Sequence, residues 1–357
     1  MDRNKETDLS IIVPVYNGEK YIERLLTSIA ENNPGDVYSY EIILVNDGSS
    51  DNSGRICRRF RERWPQVRYS EKNNEGIASA RNVGLREACG TYITFADQDD
   101  IVVGSYGPFL SWCTEESPDL LITSPFYKEQ EQGECRIRSF RKEIITDKKK
   151  LKGIAAAMID AGYLVGEDIP RLSNSVWNVL YKRKMLKENS ICFKTFIDYE
   201  DDWIFSIETL LQADKIAISD QGYYCWMARS ESESHRAKYI PNLIHRRKQW
   251  MHWLNNIFDQ MELDRKTRRI FTERVLMPRN ILISFKNACW KPNASKKEIL
   301  GEIREAVGKD GWDISRLNLK AADEIQPEER FLLGLLKLGF LRTAFYLNIG
   351  IWKLRFH

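Results

Sequence analysis

Three uninterrupted apolar runs limit what this chain can fold into: LSIIVPVY (9–16), YEIILVND (40–47) and TYITFAD (91–97). A strand with no polar alternation is buried on both faces, so such runs imply a mostly parallel sheet with helices covering each side. The intervening segments have helical periodicity. GEKYIERLLTSIAENN places Tyr21, Ile22, Leu25, Leu26 and Ile29 on one face and stops at Pro34-Gly35. Behind GSSD, Ile56, Phe60 and Trp64 repeat every four residues, VRYSEK reads as a further strand, and a helix is expected over about 77–88.

Beyond this, PDLLITSPFY (118–127) reads as one more strand, and 128–150 as a charged excursion or hairpin. Helices are expected near 148–161 and 202–213. From about 240 the chain turns helical and Lys/Arg-rich, which marks a second region. Its 357 residues suffice for one large α/β unit plus an appendage. A net charge of +3 does not by itself demand a nucleic-acid partner, and none is expected. Seven cysteines with no C-x-x-C pair fit reduced thiols rather than a disulfide framework or a zinc site. The polar start, MDRNKETDLS, lacks the apolar core of a signal peptide, so a cytoplasmic location is expected.

The chemistry gathers where the strands end. PVYNGE (14–19), NDGSSD (46–51) and DQDD (97–100) follow three of the runs, and parallel sheets bind ligands beyond their carboxyl ends. Asn17, Asp47, Asp51, Asp97 and Asp99 are therefore expected around one crevice. Carboxylates without basic neighbours in sequence repel one another unless a cation is supplied. Oxygen donors suit Mn²⁺ or Mg²⁺, an ion that shares its shell with substrate phosphates. A metal diphosphate is the expected ligand. Ser49, Ser50 and Asp51 read equally well as helix caps.

SIIVPVYNGEKYIERLLTSI, EIILVNDGSSDNS and NEGIASARNVGLREACGTYITFADQDD, followed by VWNVLYKRKMLKENSICF and YEDDWIFSIETLLQADKI, resemble successive motifs of the family 2 glycosyltransferases, which have the GT-A fold. The resemblance covers residues 9 to about 235. It implies that Pro14, Val15 and Tyr16 cradle the nucleotide base, Asp47 bonds a uracil-type edge, and Arg81 helps hold the nucleotide. It further implies Asp97 near the ribose and Asp99 on the metal. His235, in CWMARSESESHR (225–236), is a candidate to complete the metal shell, with Arg229 and Arg236 as candidate phosphate contacts.

The reaction so implied is inverting transfer from a nucleotide-sugar, most simply a UDP-sugar, to a saccharide acceptor. A carboxylate away from the metal must deprotonate the acceptor hydroxyl. The family places it at the aspartate of E-D-x-x-F, and YEDDWIF aligns two ways. Counting back from Phe205 selects Asp202; matching the letters ED selects Asp201. The apolar repeat Ile207, Leu210, Leu211 after Phe205 favours Asp202, while a carboxylate cluster serving a helix dipole is the bland alternative. Trp177 and Trp203 are candidate acceptor platforms. No Gly-rich loop follows the first strand, which argues against a nucleotidyltransferase or a dinucleotide-binding oxidoreductase.

The expected organisation is a catalytic domain over 1–236, a helical region over 237–330 and a tail helix over 331–357. HRRKQWMHW and DRKTRRIF interleave cations with aromatics, a pattern for an anionic membrane, RNA or a solvated face. The tail carries Lys337, Arg342, Lys353 and Arg355 in an apolar background with no acid. A membrane span would have to hold Lys337 and Arg342 in hydrocarbon. An interfacial helix or a docked core helix fits better. An interfacial tail would place the enzyme peripherally on the inner face of the plasma membrane, with a polyprenyl-diphosphate-linked acceptor in cell-surface polysaccharide synthesis. The competing non-enzymatic reading is an inactive membrane- or RNA-binding adaptor on the same scaffold.

Overall fold

The computed structural model describes residues 7–34, 38–128, 134–159, 169–170, 172, 175–196, 201–228, 239–319 and 325–355. The strands are β1 (Leu9–Val15), β2 (Tyr40–Asp47), β3 (Val67–Lys72), β4 (Tyr92–Phe95), β5 (Ile101–Val102), β6 (Leu120–Ile122), β7 (Phe126–Lys128), β8 (Arg136–Ile137), β9 (Glu143–Ile145), β10 (Val179–Lys182), β11 (Ile216–Ile218) and β12 (Tyr224–Met227). Eight form one sheet in the order β3-β2-β1-β4-β10-β6-β11-β9, and four form a second in the order β5-β12-β7-β8.

The β3-β2-β1-β4 half is parallel throughout. Every residue of β1 is buried, as an unalternating run requires. β10 then enters antiparallel between β4 and β6, and β9 closes the edge antiparallel to β11. The sheet is therefore mixed, and its parallel half carries the three polar strand ends. Helices Ile22–Asn32, Ser53–Arg63 and Ile77–Glu87 fall where the periodicity put them. The helix Ile77–Glu87 lies close over β1: a Cβ on Gly84 would stand 2.3 Å from Ile12 Cγ2.

PDLLITSPFY is not one strand. It supplies β6 to the large sheet and β7 to the small one, with Thr123, Ser124 and Pro125 between. Pro125 has no N–H for a ladder, and the Thr123 and Ser124 amides turn to Asn178 and Gln221 carbonyls at 2.8 and 2.9 Å. The 128–150 excursion supplies β8, which pairs antiparallel with β7, and then β9. All seven cysteines are free, yet Cys135 and Cys225 Sγ atoms come within 3.4 Å.

The chain divides into two compact units, residues 1–158 with 166–230, and residues 159–165 with 231–357. The second is helical, and its core joins Ile281, Phe285, Ile299 and Ile303 to Leu333, Leu336, Ala344 and Phe345. Ser295 and Glu298 form a reciprocal capping box on the helix Lys296–Val307. The expected single tail helix is two, Pro327–Lys337 and Leu341–Arg355, broken at Gly339, whose φ of +82° lies in the left-handed region. Among the described residues, no helix is long and apolar enough to cross a membrane.

Candidate active site

The parallel strands β1, β2 and β4 end along one edge, and their loops are knitted together by side chains. Asn17 accepts from the Ser50 amide at 2.9 Å, Ser49 Oγ accepts from the Asn17 amide at 3.0 Å, and Ser53 Oγ accepts from the Gly18 amide at 2.8 Å. Asp51 accepts from the Glu19 and Ser53 amides at 3.0 and 2.9 Å. Partial burial raises its carboxyl, but the Ser53 hydroxyl, donating at 2.5 Å, and these amides outweigh it and hold the carboxyl below the usual range. The NDGSSD loop is therefore chiefly a brace for the first loop.

The first loop is also clamped to DQDD. Gln98 accepts from the Tyr16 amide at 2.9 Å and donates to the Tyr16 carbonyl at 2.8 Å. Gly18 permits this approach, because a Cβ there would stand 2.2 Å from Gln98 Oε1. Of the three residues expected on the base, Pro14 and Val15 lie inside β1, in register with Val45 and Asn46, and only Tyr16 is exposed.

The carboxylates are not without cations, which corrects the expectation from local sequence. Asp47 is buried and accepts from Lys72 Nζ at 2.7 Å and from the Glu75 and Gly76 amides at 3.1 and 2.8 Å. Asp97 accepts from Arg81 at 3.0 Å. Arg81 sits on the helix Ile77–Glu87, is only 2% exposed, and also donates to Asp201 at 3.0 Å and to Asp202. Its guanidinium lies over the Phe193 ring, 5.2 Å from the centroid. Phe193 in turn stacks on Phe205 at 4.1 Å, and Phe95 and Tyr181 complete the aromatic floor. Arg81 was expected on the nucleotide. The structure places it among three carboxylates, with its guanidinium bridging Asp97, Asp201 and Asp202.

Those carboxylates differ in access. Asp201 is buried, whereas the Asp202 side chain is 31% exposed and the Asp97 side chain 26%. Both Asp201 and Asp202 start the helix Asp201–Gln212, so its dipole also favours them. One guanidinium cannot neutralise three carboxylates, so the cluster holds a proton above the ordinary carboxylate range. Desolvation within the cluster, which outweighs the partial exposure of the side chain, is opposed by Arg81 and reinforced by Asp201 and Asp97, and it pushes Asp202 up to about 8. Asp201 is also raised, by burial, against the pull of Arg81.

The third carboxylate of DQDD has a structural task. Asp100 is 1% exposed and accepts from the Met227 amide at 2.8 Å and the Tyr224 hydroxyl at 2.9 Å. Burial and the neighbouring Asp97 and Asp99 raise it well above the usual range. The same hydroxyl accepts from the Asp97 amide at 2.8 Å, so Tyr224 ties β12 to the turn that presents Asp97 and Asp99. Tyr224→Phe strips this bridge and leaves Asp100 a partner short. We expect a loss of about 1–3 kcal/mol in urea unfolding. Tyr224 belongs to no motif in the sequence, and its burial follows from its place in β12.

Asp99 is partly exposed, and its carbonyl accepts from Arg24 at 3.1 Å. Among the described residues, no three His, Cys, Asp or Glu side chains converge as a metal site. His235, Arg229 and Arg236 lie outside the described residues. Trp177 and Trp203 are buried, the first stacked on Tyr224 and the second donating to the Met158 carbonyl at 2.9 Å. They are packed side chains rather than an acceptor platform.

Residues 10–188, half of the chain, match the family model described as Glycosyl transferase family 2. The chain belongs to that family. As a family 2 glycosyltransferase it is 28% identical, over 97% of both chains, to the uncharacterized glycosyltransferase EpsJ of Bacillus subtilis (strain 168). The poly(ribitol-phosphate) beta-N-acetylglucosaminyltransferase TarS of Staphylococcus aureus (strain Mu50 / ATCC 700699) is 26% identical over 65% of this chain and 37% of its own. The crystal structure of S. aureus TarS 1–349 in complex with UDP-GlcNAc shares the fold, with a TM-score of 0.60 at 21% identity over 97% of this chain and 92% of that one. The GT-A-type architecture is thereby shown for this glycosyltransferase.

Proposed function

We propose that this glycosyltransferase is an inverting, metal-dependent enzyme that moves a sugar from a UDP-sugar to a saccharide acceptor. The observation that carries the reading is the Arg81 cluster: a buried cation fixes a partly exposed carboxylate, Asp202, beside the strand end that bears Asp97 and Asp99. Relatives whose names specify transfer to poly(ribitol-phosphate), and a fold neighbour crystallised with UDP-GlcNAc, support a UDP-sugar donor and a bacterial surface polymer as product. The same logic admits an acceptor carried on a polyprenyl diphosphate on the cytoplasmic side.

In this reading the loop at Tyr16 and the end of β2 hold the nucleoside. Asp202 takes the acceptor proton as the acceptor oxygen attacks the anomeric carbon from the face opposite the departing diphosphate. Arg81 holds Asp202 in place, and Asp201, too buried to reach substrate, shares the brace. Asp99 fits a divalent ion held jointly with the diphosphate, since the described side chains offer oxygen donors but no complete shell. Bound there, Mn²⁺ or Mg²⁺ would neutralise the leaving diphosphate.

Calorimetric titration of UDP, GDP and dTDP, each with and without Mn²⁺, tests this. UDP is expected to bind in a manganese-dependent way. Asp99→Asn is expected to weaken it about tenfold or more, the scale of one lost charge-assisted contact. Failure of every nucleotide to bind the folded protein would overturn the reading.

A further inference from the structure

Ten large apolar side chains stand exposed among the described residues, and five of them (Phe331, Leu338, Phe340, Tyr346 and Leu347) fall within seventeen positions. They flank the turn between the helices Pro327–Lys337 and Leu341–Arg355. Phe331 and Leu338 are seven residues apart, as are Phe340 and Leu347, a spacing that returns to one helical face. The opposite faces are occupied: Leu332, Leu333, Leu336, Ala344 and Phe345 lie in the core of the helical unit. The exposed set is therefore held on an anchored support.

The turn itself projects. Leu338 is 72% exposed and Phe340 54%, and a Cβ on Gly339 would meet nothing within 4 Å. Its charge is of one sign, for no Asp or Glu occurs from Phe331 to His357. Arg342 is exposed beside the tip. Lys296 donates to the Tyr346 hydroxyl, its ammonium 4.4 Å from the ring centroid. Lys337 is tethered to the Leu317 carbonyl at 2.5 Å.

We propose that this turn is a membrane-surface anchor: Leu338 and Phe340 enter the headgroup region of an anionic bilayer while Arg342 and Lys296 meet its phosphates. Apolar side chains at a projecting tip gain free energy in a penetrable medium, and flanking cations are drawn to anionic lipid. A second copy of the chain is a poorer occupant, because a two-fold contact would set identical cationic tips against each other. The anchor does not depend on the catalytic reading, and it is measured without turnover.

The test is co-sedimentation of the whole chain with phosphatidylcholine vesicles, with and without phosphatidylglycerol. Binding is expected only with the anionic lipid, and it should weaken as salt screens the cations. The Leu338→Ser/Phe340→Ser double variant should lose about tenfold or more in partitioning, with thermal unfolding unchanged because both side chains are exposed. No binding to anionic vesicles, or equal binding by the double variant, overturns the anchor. Equal binding to neutral vesicles overturns the anionic assignment. A concentration-dependent dimer that the double variant abolishes, without vesicle binding, would assign the face to a second copy instead.

Discussion

Asp202→Asn is expected to abolish transfer while leaving the fold and the nucleotide site intact. Loss of a general base costs about 10²–10⁴-fold in rate, and of the two aspartates that begin the helix Asp201–Gln212, Asp202 is the one with an exposed side chain. UDP affinity should stay within about threefold of wild type, a difference well under the ~1.4 kcal/mol of a tenfold change. The substitution removes one negative charge from three carboxylates that share one cation, so it should not destabilise. An inactive Asp201→Asn beside an active Asp202→Asn would reverse the assignment.

The pH dependence has a determined sign. A base must be ionised to act, so kcat/KM should rise with pH through an apparent value well above the ordinary carboxylate range, towards about 8. Stability should move the other way. Asp202 binds its proton more tightly folded than unfolded, so its contribution is fully present below the unfolded pKa and is lost as pH rises through about 8. Urea unfolding from pH 4 to 8 should show that decline in the wild type and a shallower one in Asp202→Asn. Because the three carboxylates titrate together, the apparent value belongs to the cluster.

Arg81→Met should be the most damaging single change in the site. It keeps an unbranched apolar stem but leaves Asp97, Asp201 and Asp202 with no shared cation. Breaking a buried pair in this way costs about 3–5 kcal/mol. The penalty should shrink as pH falls, because protonation relieves the repulsion that Arg81 now offsets. Arg81→Lys should rescue little, since a single ammonium cannot present the guanidinium fork to three carboxylates. Activity should fall mainly in kcat. A variant of unchanged stability, impaired only in KM for the donor, would mean that Arg81 contacts the nucleotide directly.

How much of this was legible depended on range. Leu9–Val15, Tyr40–Asp47 and Tyr92–Phe95 were readable as buried strands because burial on both faces removes alternation from a strand's own residues. The break in PDLLITSPFY was not, because it depends on Asn178 and Gln221 taking up two amides from elsewhere in the chain. The tail's composition was plain, but its division into a buried and an exposed half depended on the core it docks against. Cys135 and Cys225, ninety residues apart, show no spacing motif and yet become neighbours.

The site divides in the same way. Sequence alone placed Asp47, Asp97 and Asp99 at strand ends and brought Asp202 to the start of a helix, because periodicity and capping are local. Only the tertiary structure decided what each carboxylate faces. Lys72 reaches Asp47 across 25 residues, and Arg81 reaches Asp201 and Asp202 across 120 and 121. Coulomb attraction acts through space rather than along the chain, so the pairing of Arg81 with Asp97, Asp201 and Asp202 leaves no local mark in the sequence.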